Sequence, residues 1–436
     1  MTKYNRREML AAAGVATLAI GCGKKDDPEE ATTPARSEVP LRVLWVGAEA
    51  DAQTVQRAWA AVRSQPLKMD VVSLQRDNPV GVVEAVLDKY KRIDVLVYPL
   101  LATGELSRAL ALVPLSDDDV DSVEDELGRL LPTVRNGAAQ FAGEFVATPI
   151  GARLPALLST NEIDSMSSWT EYHRWVDTEL SGQAAEPLSP GWAGAMFLWR
   201  AATTIQGEWL FDRDGLKPLV ADEEYVDVLT QMVETAKRYT GERKSPAEIW
   251  NQLRGGQLRG GIGFPGTGEQ VAQAEVDVNI SDLPGAADTS RVLLDPFAMV
   301  ASISSGCRQS NASKDLMNWM SGGEGSESLR SQVDAITVTR SAPAERRFES
   351  RQASSDGYER WLRERLTKRL SLPTLQLLAA DEYYAVLEQQ IGSAIAGDRR
   401  PAEALGELAA AWSKLHQRLD VQEQSRTWRR AQGMRA

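Results

Sequence analysis

The chain has 436 residues, 43% hydrophobic and 25% charged, a globular composition long enough for two domains rather than one simple core. Its 49 basic and 61 acidic residues give a net charge of −12, which excludes a general nucleic-acid binder, because phosphate-backbone contacts need a basic face. Two histidines, His173 and His416, and two cysteines, Cys22 and Cys307, are too few and too scattered for a metal cluster, a disulfide framework or Cys–His catalysis, so no metal or other cofactor is expected.

At the amino terminus an arginine pair, Arg6 and Arg7, precedes an apolar run from Leu10 to Ile20. The run falls short of the roughly 20 residues a membrane-spanning helix needs and suits the apolar core of a signal peptide. It ends in Leu18-Ala19-Ile20-Gly21-Cys22, where small residues before a cysteine resemble a bacterial lipidation site, and the arginine pair resembles a twin-arginine export signal. Residues 1–21 are therefore expected to be a signal peptide and 22–39 a tether lipidated on Cys22. The segment after Cys22 is polar, contains proline and has no large apolar residue with which to offset its ordering entropy.

From Leu41 onward short apolar runs alternate with amphipathic stretches. Leu41–Val46, Asp70–Leu74 and Ile93–Tyr98 read as strands, with Val55, Ala58, Trp59 and Val62, and then Val82, Val83, Val86 and Leu87, at helical spacing between them. That alternation predicts βαβ units and a largely parallel sheet, whose ligand edge lies at the carboxyl ends of the strands, here Trp45–Asp51 and Tyr98–Gly104. Phe141–Phe145 reads as a hairpin turn. Helices are expected from Ser168, a capping residue, and over Ala193–Thr204, Glu223–Tyr239 and Pro246–Leu253. The glycine-rich stretch Gly260–Gly268 reads as a tight turn, since it lacks the Lys-Ser/Thr of a phosphate-binding loop. Phe297–Ile303 reads as a strand and Lys314–Gly322 as a helix. Leu405, Leu408, Trp412, Leu415 and Leu419 form the apolar stripe of a last helix, and the arginine-rich residues from Arg426 read as a frayed tail.

Ordered motifs along Leu41–Leu419 resemble the sugar-binding (maltose-binding-like, family 1) solute-binding proteins of ABC transporters. They include Asp94-Val-Leu-Val-Tyr-Pro99, Gly104-Glu105-Leu106, Leu112-Val-Pro-Leu115, Ala147-Thr-Pro-Ile150, Trp169-Thr-Glu-Tyr172, Asp381-Glu-Tyr-Tyr384 and Pro401-Ala-Glu-Ala-Leu405. Ser159-Thr160-Asn161 stands where that family usually has a Tyr-Asn pair. The resemblance implies an α/β, two-lobed periplasmic-binding-protein-like fold, each lobe a mixed or mostly parallel sheet flanked by helices. It divides the chain into lobe 1 (40–149 and 292–338) and lobe 2 (150–291, and a helical part with the carboxyl-terminal tail, 339–436).

It also implies a non-catalytic protein of the bacterial envelope, facing the periplasm or exterior. Such a protein binds a small polar solute, a carbohydrate first, between its lobes and delivers it to the membrane subunits of an ABC transporter. Sugars offer apolar faces and a rim of hydroxyls, so flat rings and planar hydrogen-bonding groups suit them, and 12 tryptophans are an ample supply. The candidates for ligand contact are Tyr98, Arg153, Trp192, Trp199, Arg200, Phe264 and Tyr383, with Trp45, Glu49 and Asp51 at the end of the first strand. Two alternatives remain open: a sugar-processing envelope hydrolase, which needs a carboxylate pair facing one cavity, and a degenerate binding protein acting as sensor or scaffold, with its cleft plugged by side chains.

Overall fold

The computed structural model describes residues 39–434 except 164, 214–215, 268–275, 287–290 and 342–352. Arg6, Arg7, Cys22, the expected signal peptide and the tether up to residue 38 lie outside the described residues. The first part of the chain runs β1 (Leu41–Val46), α1 (Glu49–Val62), β2 (Leu67–Val72), α2 (Val82–Leu87), β3 (Val95–Pro99), α3 (Thr103–Arg108), β4 (Leu112–Val113) and α4 (Asp117–Leu127). A single helical turn α5 (Pro132–Val134), the hairpin β5 (Gln140–Phe141) and β6 (Glu144–Phe145), and β7 (Thr148–Pro149) follow. The middle part runs β8 (Ala156–Ser159), α6 (Trp169–Arg174), β9 (Ala184–Ala185), α7 (Ala193–Thr204), α8 (Glu223–Ala236), α9 (Pro246–Arg254), β10 (Gly260–Gly263) and β11 (Asn279–Ser281). The last part runs β12 (Arg291–Leu293), β13 (Met299–Ser304), α10 (Ser310–Ser321), α11 (Gly323–Leu329), α12 (Ala353–Lys368), β14 (Leu370–Leu372), α13 (Ala380–Ala396), α14 (Pro401–Arg418) and α15 (Val421–Ala431).

The first sheet has the order β2-β1-β3-β13-β4, with β7 also on β13. Both faces of its centre are covered, so side chains of period two divide between two cores. Leu41, Val43 and Trp45 pack with Trp59 of α1 and Leu316 of α10, while Leu44 and Val46 pack on the other face with Val83 and Val86 of α2. β1 is parallel to β2 and β3. β13 is antiparallel to β3, because it re-enters this sheet from the end that faces the second sheet. The sheet is therefore mixed.

The second sheet has the order β11-β8-β10-β9, with α9 packed on β10 and β8 and α12 on β11. The stretch expected as a tight turn is its strand β10, and packing explains the glycines. A Cβ on Gly260 would stand 2.2 Å from the Trp175 ring, and one on Gly263 2.7 Å from the Pro246 carbonyl. The two sheets with their helices form the two-lobed arrangement.

α13 ties the lobes together. It packs on α7 and α8 of the second lobe, and its carboxylates cap a helix in each. Asp381 accepts the Gly81 amide at the start of α2 (2.9 Å), while Glu388 accepts those of Gly191 (2.7 Å) and Gly194 (2.8 Å) at the start of α7. A helix start exposes unpaired amides and a partial positive charge, so an anion there is favourable. Burial pushes both carboxyls above their usual range, against the pull of those amides. The residues expected as a frayed tail instead form α15. Its Gln424, Thr427 and Trp428 turn inward at i, i+3 and i+4, with Trp428 4% exposed against Phe211. Replacing Glu388 with alanine leaves two amides at the start of α7 without their acceptor. We expect a loss of about 2 kcal/mol in unfolding free energy, measured by urea titration.

Candidate functional site

The carboxyl ends of β1, β2 and β3 point at the second lobe, and the side chains gathered there come from loops. Arg76 leaves the loop after β2 and crosses to the second lobe. Its guanidinium carbon lies 3.6 Å from the ring centroid of Trp192, before α7, and 4.3 Å from that of Phe297, before β13. Both terminal nitrogens donate to Asp295 at 3.0 Å, and Nε donates to the Gly191 carbonyl at 3.3 Å. Asp295 is buried. Gly191 is required at this approach, since its φ is +84° and a Cβ would stand 2.6 Å from Cβ of Arg76.

The row of rings and cations continues from Trp192. Phe264, at the end of β10, meets the Trp192 ring edge-on (5.6 Å, 64°), and Arg153 lies 5.3 Å from the Phe264 centroid. Arg153, on the segment crossing from β7 to β8, makes a two-pronged pair with Asp334 (2.9 and 2.9 Å), which also accepts the Thr267 amide. Asp51, in the first turn of α1, lies beside the backbone amides of Asp334 and Ala335. Burial, reinforced by the like charge of Asp334, pushes the Asp51 carboxyl up to about 6. Burial works in the same sense on Asp334, but Arg153 outweighs it and holds that carboxyl below its usual range. The junction thus carries flat rings edged by forked donors and carboxylates, and Arg76 fills the space between Trp192 and Phe297.

Of the residues chosen from the sequence, Trp192, Phe264, Arg153 and Asp51 come together here. Trp199 stands behind them, 1% exposed, with its ring 6.3 Å from Trp192 and 6.4 Å from Phe264. The others lie elsewhere, each for a packing reason. Tyr98 is wholly buried beneath the first sheet, its hydroxyl bonded to Ser302 (2.8 Å) rather than facing the junction. Trp45 points to the α1 side of that sheet among Val43, Val55 and Trp59. Tyr383 is enclosed by Trp412 and His416, whereas its neighbour Tyr384 reaches Phe297 at 5.7 Å. Arg200 is fully buried in the second lobe, paired with Glu186 and lying 4.1 Å from the Trp169 centroid. Glu49 is exposed and accepts from Gln53.

Sequence reading missed Arg76, Asp295, Phe297 and Asp334. The pertinent signal for Arg76 was its position after the second strand, an end left out when the ligand edge was drawn from the first and third strands.

The fold is that of the solute-binding proteins of ABC transporters. A solute-binding protein of Agrobacterium radiobacter K84 in complex with ribitol aligns with a TM-score of 0.66 at 16% identity, over 86% of this chain and 98% of that one. One from Agrobacterium vitis S4 with bound D-mannitol aligns at 0.62 and 15%, over 87% and 99%. The maltose-bound MalE3 of T. maritima aligns at 0.62 and 14%, over 86% and 99%. No family model and no curated protein matches the chain.

Asp51 gives the junction a pH signature. An unfolded aspartate titrates near pH 4, about two units below the folded value of about 6. Between those values the folded state binds the proton more tightly, so stability falls as pH rises through the window. Thermal midpoints of Asp51→Asn should therefore fall less between pH 4 and pH 7 than those of the native chain. Equal falls would show that Asp51 is not the group responsible.

Proposed function

We propose that this is an extracytoplasmic lipoprotein that binds a small polar solute, a sugar or polyol, between its lobes and delivers it to the membrane subunits of an ABC transporter. The observation that carries the reading is the seat around Arg76. A guanidinium is flat, covered on its faces by Trp192 and Phe297 and hydrogen-bonded at its edge by Asp295. A sugar or polyol makes the same demands, apolar C–H against rings and hydroxyls against a carboxylate and arginines. Mannitol, ribitol and maltose are the guests of the three fold relatives. In this reading Arg6 and Arg7 direct export and Cys22 carries the lipid. Lobe 1 comprises 40–149 and 292–338, and lobe 2 comprises 150–291 and 339–436, with α13 bridging them. Closure follows because only the closed form makes both sets of contacts.

The oxygens of Asp334 are engaged by Arg153 and by the Thr267 amide, and Asp51 lies beside the Asp334 and Ala335 amides. These carboxylates serve as ties and the hydrolase reading is not carried forward. The sensor or scaffold reading has one observation in its favour, since Arg76 already satisfies the seat.

Calorimetry against mannitol, ribitol, hexoses and maltose should find saturable binding of at least one. The contacts of Arg76 to two rings and Asp295 compete with the guest, so Arg76→Ala is expected to tighten that binding about 10-fold, equivalent to about 1.4 kcal/mol. Absence of binding to both proteins would overturn solute transport in favour of the sensor or scaffold. Cys22→Ser should move the protein from the membrane fraction to the soluble one.

A further inference from the structure

The end of the first sheet opposite the junction has a different character. There the amino ends of β1, β2 and β3 frame a hollow of about 430 Å³ lined by Arg42, Lys68, Asp70, Arg92, Ile93 and Arg308. Four cations face one carboxylate, in a chain of net charge −12. Asp70 is itself paired with Lys89 at 3.0 Å. Among the described residues Lys68, Arg92 and Arg308 form no ion pair.

The cations stand on a rigid base. Asp94, fully buried, accepts from Nε and Nη2 of Arg42 (2.9 and 2.7 Å), from the Arg42 amide (2.9 Å) and from the Arg308 amide (2.9 Å). Burial alone would raise its carboxyl, but these donors hold it below the usual range. The turn leading to Arg308 is locked to the turn carrying Arg92. Ser304 Oγ donates to the Tyr90 carbonyl (2.6 Å) and accepts the Gly306 amide (3.1 Å). A Cβ on Gly306 would stand 2.4 Å from the Lys91 carbonyl oxygen, so the two turns touch. These ties hold the turns that carry Arg92 and Arg308 side by side, and neither exposed guanidinium has an ion-pair partner among the described residues.

Forked guanidinium groups around a hollow suit phosphate oxygens, and this volume leaves room for the ester attached to the phosphate. The chain also enters the fold here, since the Pro40 carbonyl accepts from Gln309, the residue after Arg308. We propose that this hollow seats the phosphate of an anionic phospholipid headgroup and rests the base of the first lobe on the membrane. The choice of a lipid source relies on the tethering part of the proposed function. Residues 23–39 would span at most roughly 60 Å from Cys22, which keeps this edge near the bilayer.

The test is co-sedimentation of the exported chain carrying Cys22→Ser with vesicles, so that no attached lipid contributes. Vesicles of phosphatidylglycerol in phosphatidylcholine are compared with pure phosphatidylcholine at 0.1 M salt, with glycerol phosphate as competitor. Expected are binding only to the phosphatidylglycerol vesicles, competition by glycerol phosphate, and a partition coefficient roughly 30-fold lower for Arg92→Ala/Arg308→Ala, from two cations near an anionic surface. The double variant should keep the native thermal midpoint within a few degrees. No binding, or binding that the variant retains, overturns the proposal. Calorimetric binding of inorganic phosphate that the variant loses, without vesicle binding, overturns the lipid source and leaves a soluble phosphate ligand. Equal binding to both vesicle types that the variant retains reports the apolar amino-terminal run, and so a failure of the tethering reading.

Discussion

Two helix starts with unpaired amides set the relation between the lobes. The amides open α2 in the first lobe and α7 in the second, and both find their acceptor on α13, in Asp381 and Glu388. An amide left without a partner in a buried place costs more than a hydrogen bond returns, so the position of α13 is dictated from both sides at once. Glu388 also holds the turn that carries Gly191 and Trp192, which places Trp192 where Arg76 can lie across it.

Chemistry at the junction follows from that placement. Rings and cations follow one another from Phe297 through Arg76, Trp192 and Phe264 to Arg153, with Asp295 at one end and Asp334 at the other. Each guanidinium has its charge balanced by a forked carboxylate and a flat face left to a ring. The same set of groups could receive a flat polar guest, provided that Arg76 moves aside. The cations at the other end of the first lobe are arranged differently, with carboxylates spent on fixing Arg42 and the turns while Lys68, Arg92 and Arg308 remain open.

Elements whose burial dominates their composition were readable from the residues alone. β1 and α7 have the expected bounds, because Leu41–Val46 and Ala193–Thr204 are nearly all apolar and are buried on all sides. α15 was missed because its arginines conceal a face of only three inward residues, Gln424, Thr427 and Trp428. Two of those are polar. Gln424 is matched by the Leu378 amide and carbonyl (3.0 and 3.0 Å), a pairing across 46 residues that no local pattern displays. β10 was missed because its glycines answer to Trp175 and Pro246, not to a turn. At the junction, aromatic residues in loops, Trp192 and Phe264, were readable as candidates. Tyr98 and Tyr383 were misplaced, since one residue along a strand or helix decides which way a ring points.

Stacking of Arg76 on Trp192 has an optical consequence. Among the described residues two other indoles lie under a guanidinium, Trp59 and Trp169, and both take it from their own lobe. Trp192 is half-buried and loses a charged neighbour 3.6 Å from its ring whenever the lobes part. Its emission colour and lifetime would therefore report any opening, and the molecule carries an intrinsic fluorophore at the point where its two halves meet.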